Sequence, residues 1–233
     1  MNGGGFMDSY FMLLVFPAFI FAIFSQFKVK STFKKYSQMS NSRNMTGAQV
    51  SRMILDRHGL YDVSVEPIEG RLTDHYDPRT KRVRLSENVY YSTSLAAIGV
   101  AAHETGHAVQ HAVGYAPLGL RSSLVPIANI GSTLGPYLAI FGLMFNMQYL
   151  LQLGIILFTG AVAFYLITLP VEFNASRRAV NMLRGEYVLS HNEIPPVKKV
   201  LNAAAMTYVA SAAVAMASLL RLLLLAGARG EED

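Results

Sequence analysis

The chain contains no cysteine. That removes disulfides, thiolate ligands and a cysteine nucleophile together, so any metal must be held by histidine, carboxylate or water. The absence fits any compartment. Charge is scarce as well: Asp, Glu, Lys and Arg make up 15% of the 233 residues, against about 25% in ordinary globular chains. Apolar residues reach 52% and the mean hydropathy is positive. This is the composition of a membrane protein. No internal repeat or low-complexity segment occurs. The first apolar run, "FMLLVFPAFIFAIFSQF", has no basic stretch before it and no small-residue cleavage site after it, so a retained anchor is expected rather than a signal peptide.

Four segments are long and apolar enough for a hydrocarbon layer of ~30 Å, which takes about 20 helical residues. They are 8–27, 123–145, 149–169 and 204–226. Pro17 in the first is tolerated as a kink, and Pro126 and Pro136 can bend the second. Gly131 and Gly135 share one face of the second, where another helix can approach closely, from this chain or from a second copy. Only "NMQ" separates the second and third, which predicts a tight hairpin. Arg221 in the fourth is read as snorkelling to the interface. Of 20 Lys and Arg, 13 lie in 28–122 and 5 in 170–203. The hairpin returns the chain to its starting side, so both basic segments share one face of the membrane, and basic loops favour the cytoplasm. The acidic tail "GEED" then faces outward. The lysines of "KVKSTFKK" are expected to meet anionic headgroups; nucleic acid is not an expected partner.

The water-facing part is therefore 28–122 plus the returning segment 170–203. "TGAQVSRMILDRHGLY" reads as a helix with Val50, Ile54 and Leu55 on one face and Gly59 as its stop, and His58 as a helix-end residue. "VSVEPI" reads as a strand, and "RLTDHYDPRTKRVRLS" as a hairpin turning at "DP". "STSLAAIGVAAHETGHAVQHAVGY" reads as a helix capped near residues 92–94 and stopped by Gly114.

That last helix carries the chemistry. His103 and His107, four apart, differ by ~40° around a helix and ~6 Å along it, so both imidazoles can reach one zinc at about 2.0–2.1 Å. Glu104 lies beside the pair, placed to take a proton from water that zinc has acidified while zinc polarises a scissile carbonyl. Two histidines on a helix can also be ordinary core or surface residues. The uncharged neighbours Thr105, Gly106, Ala108 and Val109 and the presence of a third candidate ligand weigh for a metal. His111 is not that ligand, since it lies ~12 Å from His103 along the axis. Glu172 is the candidate: it follows the third span, on a helix that Pro170 is expected to start, and the topology returns it to the side that holds His103.

"HETGHAVQ", a membrane hairpin and then "EFNASRRA", with the run from "LTDHYDP" through "VRLSENVYYSTSLAAIGVAAHETGHAVQ", resemble the YugP-type membrane zinc metallopeptidases over nearly the whole chain. The layout is more distantly similar to HtpX and the CAAX prenyl proteases, which place a glutamate ligand in an E-x-x-A-D helix behind membrane spans. The resemblance implies one zinc per chain held by His103, His107 and Glu172, with Glu104 catalytic. It implies a mainly α integral membrane protein with a small α+β gluzincin-like core. Ser176 stands where the distant families have aspartate, which leaves Asn174 or Ser176 to orient a ligand histidine. A sheet edge should bind substrate backbone, and 82–86 is the candidate edge. The oxyanion donor is sought among His75, Tyr76, Tyr90, Tyr91, Arg177, Arg178, Tyr187 and His191, with His191 and Arg178 first.

The expectation is a multi-pass protein of a bacterial inner or plasma membrane, with its active site toward the cytoplasm. It would hydrolyse peptide bonds in membrane-associated or cytoplasmic-face proteins. Its partners would be lipids, a peptide or protein substrate, and possible further copies or other membrane proteins. The alternative is a zinc-stabilised scaffold or accessory subunit without catalysis.

Overall fold

Each helix of the motif-bearing part starts and stops for a local reason. In the computed structural model, which describes residues 9–185 and 188–230, α1 (Phe16–Tyr36) follows a π-helical turn over Phe11–Val15. Helix α2 (Gly47–Arg57) opens with a reciprocal cap, in which Thr46 accepts from the Gln49 N–H and Gln49 accepts from the Thr46 N–H. Gly59, at φ 70°, ends it, in the left-handed region where glycine carries no Cβ penalty. Strands β1 (Ser64–Ile68), β2 (His75–Asp77) and β3 (Arg82–Ser86) follow, then a short α3 (Glu87–Tyr90). The Asp77 carboxylate accepts from Arg79 N–H and Thr80 Oγ and closes the β2–β3 turn. Ser94 caps α4 (Leu95–Ala112) by accepting from the Ala97 N–H, and Gly114, at φ 63°, lies just beyond its end.

The sheet order is β1-β3-β2, with β1 parallel and β2 antiparallel to β3. This corrects the expectation that 82–86 is an edge: both sides of β3 are already paired, so only β1 and β2 present free edges. The reason is the parallel return of β3 onto β1, a long-range pairing that hairpin signals do not encode.

Three long helices complete the chain: α5 (Ala116–Met144), α6 (Gln148–Gly185) and α7 (Ile194–Gly230). Among the described residues, four helices are long and apolar enough to cross a membrane: Phe11–Tyr36, Ala116–Met144, Gln148–Gly185 and Ile194–Gly227. They run beyond the apolar segments of the sequence because nothing stops them where hydropathy falls. Pro170 in particular does not start a helix; it lies inside α6, so the third span and the segment carrying Glu172 are one helix. Residue 8, where the first span was expected to begin, Tyr187 and the last three residues of the acidic tail lie outside the described residues.

The chain divides into two compact units. One comprises Met1–Gln26, Leu120–Pro170 and Thr207–Asp233. Within it, a Cβ on Gly131 would strike the Leu157 carbonyl, and one on Gly135 would lie 2.8 Å from the Phe158 nitrogen. The glycine face of α5 is thus filled by α6 of the same chain. Asn146, at φ 55°, and the Met147 N–H bonded to the Gly142 carbonyl at 2.9 Å make the turn between them. Large side chains such as Ile130, Leu134 and Phe141 remain exposed, a surface suited to lipid.

The other unit comprises Phe27–Gly119 and Val171–Met206. Its core joins Val50 and Ile54 of α2, Leu95 and Ile98 of α4, Ala179 and Leu183 of α6, and Val197 and Leu201 of α7. A second cluster packs Leu55, Val83, Leu85 and Val89 under Ala97 and Ala101. Each large side chain buried this way contributes about 1.5–3 kcal/mol. Helix α4 lies between the two clusters, so it is held on both flanks.

Candidate metal centre

Small residues set where α4 and α6 cross. Along α6, Val171, Ala175, Ala179 and Leu183 repeat every four residues and are fully buried, giving a narrow seam on one helix face. On α4, a Cβ built on Gly106 would lie 2.9 Å from the Ala175 carbonyl oxygen. Only glycine permits this approach. Glu172 and Ser176 sit one position beyond Val171 and Ala175, so both reach α4 where His103 and His107 emerge.

The three side chains converge. Ligand atoms of His103, His107 and Glu172 all lie within 4.8 Å of one another. Glu172 Oε2 is 3.2 Å from His103 Nε2 and 3.7 Å from His107 Nε2. Donors bound tetrahedrally at the usual zinc distances stand about 3.3 Å apart, so the chain presents a donor set of the right size and chemistry for that ion. The imidazoles are nearly perpendicular, at 86°. Glu172 is 2% exposed; a carboxylate so buried has to be matched by positive charge or strong donors.

Both histidines are oriented from behind. Ser176 Oγ is 3.1 Å from His103 Nδ1, and Gln110 Oε1 is 2.9 Å from His107 Nδ1. With Nδ1–H donated to those oxygens, each Nε2 lone pair is directed to Glu172 and to a metal. Gln110 is itself pinned: its Nε2 donates to the Val171 carbonyl at 2.9 Å and to Asn174 Oδ1 at 3.0 Å. Arg178 Nε donates to the same Asn174 oxygen at 2.8 Å. Ser176 thus contacts His103 directly, while Asn174 and Arg178 reach His107 only through Gln110. Gln110 is not among the residues that the sequence singles out. Its signal in the sequence is a lone amide three residues after His107, on the helix face that carries both histidines. The Thr105 hydroxyl lies 2.8 Å from the Ala101 carbonyl, to which it donates, and 3.0 Å from Ser51 Oγ, a contact that ties α4 to α2.

Without a cation the site favours a proton. Burial acts most strongly on His107 and pushes its pKa down, but the Glu172 hydrogen bond, the Glu104 charge and the Glu172 charge outweigh it, and the imidazole sits above its usual 6.5. Glu104 is half-buried, one residue from His103 and close enough to act on His107 by charge.

The remaining candidates lie elsewhere. His111 Nδ1 is hydrogen-bonded to Tyr76 Oη at 2.8 Å, off the ligand cluster. His75 Nδ1 meets the Thr73 carbonyl, and Tyr90 and Tyr91 stack edge to face. His191 is exposed in the turn before α7, and among the described contacts none links it or Arg177 to the three ligands.

A family profile described as "Putative neutral zinc metallopeptidase" matches residues 11–227. The "Putative membrane protease YugP" of Bacillus subtilis (strain 168) is 51% identical over 215 residues, covering 92% of this chain and 96% of that relative. No solved structure matches the chain.

Proposed function

This chain belongs to the neutral zinc metallopeptidase family, and we propose that it is a membrane-embedded zinc endopeptidase of the gluzincin type. The observation that carries this reading is the meeting of His103, His107 and Glu172 within 4.8 Å. Three protein ligands from H-E-x-x-H and a distant glutamate is the number a hydrolytic zinc takes from its protein, whereas a purely structural zinc takes four. That count favours an enzyme over a scaffold. Zinc held there supplies Lewis-acid polarisation of the scissile carbonyl and makes a water acidic enough to attack near neutral pH.

The chain's own residues do the rest. His103, His107 and Glu172 hold one ion, and Ser176 and Gln110 fix the imidazole tautomers. Glu104 accepts the proton of the attacking water and hands it to the departing amine nitrogen, so the peptide bond breaks with no net change at the carboxylate. Substrate backbone adds to the free edge of β2, which the Tyr76–His111 hydrogen bond ties to α4. The exposed apolar helices and the membrane-protease relative make this a membrane protein. The lysine and arginine bias supports a cytoplasmic active site, with substrates that are membrane-associated or approach that face.

Glu104→Gln is the test. It should retain zinc while cleavage of a flexible protein such as casein falls by about 10²–10⁴-fold, the usual worth of a positioned acid–base group. Undiminished cleavage by this variant removes Glu104 from the mechanism.

A further inference from the structure

Away from the metal centre, α1 and the loop before β2 enclose a cleft of about 610 Å³. Its walls carry Lys30, Phe33 and Lys34 from α1, and Arg71 and Leu72 from the loop. Lys30 and Lys34 are four apart and so share one helix face. Both are exposed, as is Arg71, and among the described residues none of the three has an ion-pair partner. Asp74 also lines the cleft, but its carboxylate is engaged: Oδ1 accepts from the Ser86 N–H at 2.8 Å and from Ser86 Oγ at 3.0 Å. Three cations therefore face one engaged carboxylate, a surplus of positive charge in a recess that also has apolar walls.

Leu72 gives the second observation. It sits at φ 61°, a conformation unfavourable for a bulky residue, yet the residue is 61% exposed. The loop holds an aliphatic side chain outward at the mouth of a basic cleft. The third observation is place. The stretch of α1 before the lysines carries Phe19, Ile20, Phe24 and Phe27, all exposed and apolar. Lys30 follows Phe27 by about 4.5 Å of helix rise, the level at which hydrocarbon gives way to headgroups when those side chains sit in lipid.

We propose that this cleft binds the headgroup of an anionic phospholipid. Lys30, Lys34 and Arg71 take the phosphate, and Phe33 and Leu72 form the apolar walls of the recess beside them. The site does not depend on the peptidase reading. Its use would be to hold the water-facing unit against the acidic leaflet through a specific contact rather than a diffuse basic surface.

Native mass spectrometry of the full chain in detergent, with phosphatidylglycerol or phosphatidylcholine of matched acyl chains, tests this. The wild type should retain one phosphatidylglycerol in preference to phosphatidylcholine. At about fivefold per basic group near an anionic surface, Lys30→Ala/Lys34→Ala/Arg71→Ala should lose roughly a hundredfold of that preference. Lys30→Arg/Lys34→Arg/Arg71→Lys should keep it, and equal circular dichroism of the two triple variants separates lost binding from lost fold. Inorganic phosphate at millimolar concentration should not displace the lipid. Equal retention of both lipids by the wild type, an unchanged preference in the alanine variant, or full displacement by inorganic phosphate would each overturn the proposal.

Discussion

Gln110 stands behind the candidate metal site and bears on it through His107. It holds the Nδ1–H of His107, while its own amide is held by the Val171 carbonyl and Asn174. Gln110→Ala removes all three contacts and leaves a buried N–H unpaired. Loss of a partner behind a ligand typically weakens metal affinity about 10–100-fold, and competition against a chelator should show a loss of that size with helical content unchanged. The raised pKa of His107 gives a second prediction. The metal-free imidazole stays protonated to a pH above 6.5, and zinc must displace that proton. Apparent zinc affinity should therefore be flat at alkaline pH and fall by about tenfold per pH unit below the raised value. Calorimetry in buffers of different ionisation enthalpy should find one proton released per zinc in that lower range; no proton release there would mean that His107 is already neutral. At this scale the sequence is legible where spacing alone brings side chains together, as with His103 and His107. Gln110 is not, because its role depends on which backbone carbonyl of α6 passes beside it.

At the scale of elements, the crossing of α4 and α6 is the critical contact. Gly106→Ala would set a methyl 2.9 Å from the Ala175 carbonyl oxygen, where no flexible side chain can yield. Overpacking of this kind costs about 1–3 kcal/mol, and relief must move α6 and Glu172 away from the histidines. The variant should remain folded by circular dichroism yet bind zinc at least tenfold more weakly; wild-type affinity would show that the seam is slack. Helix ends were readable from Thr46, Gly59, Ser94 and Gly114, since caps are local. Two features were not. Strand order depends on β3 pairing in parallel with β1, which no turn signal announces, so 82–86, expected as an edge, is the central strand. Pro170 resembled a helix start by local rules, but the helix runs through it into the buried seam of Val171, Ala175 and Ala179, whose packing outweighs the one lost N–H.

For the whole molecule, the candidate ligands His103 and Glu172 come from places 69 residues apart in the chain, with a long apolar hairpin between them. Four apolar helices were visible from hydropathy, whereas their true lengths were not, because helices continue past the point where apolarity ends. The cysteine-free chain allows a clean test of orientation. In intact cells, a membrane-impermeant maleimide should label Met147→Cys in the hairpin turn and spare Thr80→Cys in the β2–β3 turn; the reverse pattern would place the centre outside. The account rests most heavily on the joining of α4 and α6 through one ion. Zinc content of the purified full chain by elemental mass spectrometry tests it directly. One zinc per wild-type chain, with less than a tenth of that in folded Glu172→Ala, is the expected result. Equimolar zinc in the alanine variant would contradict it.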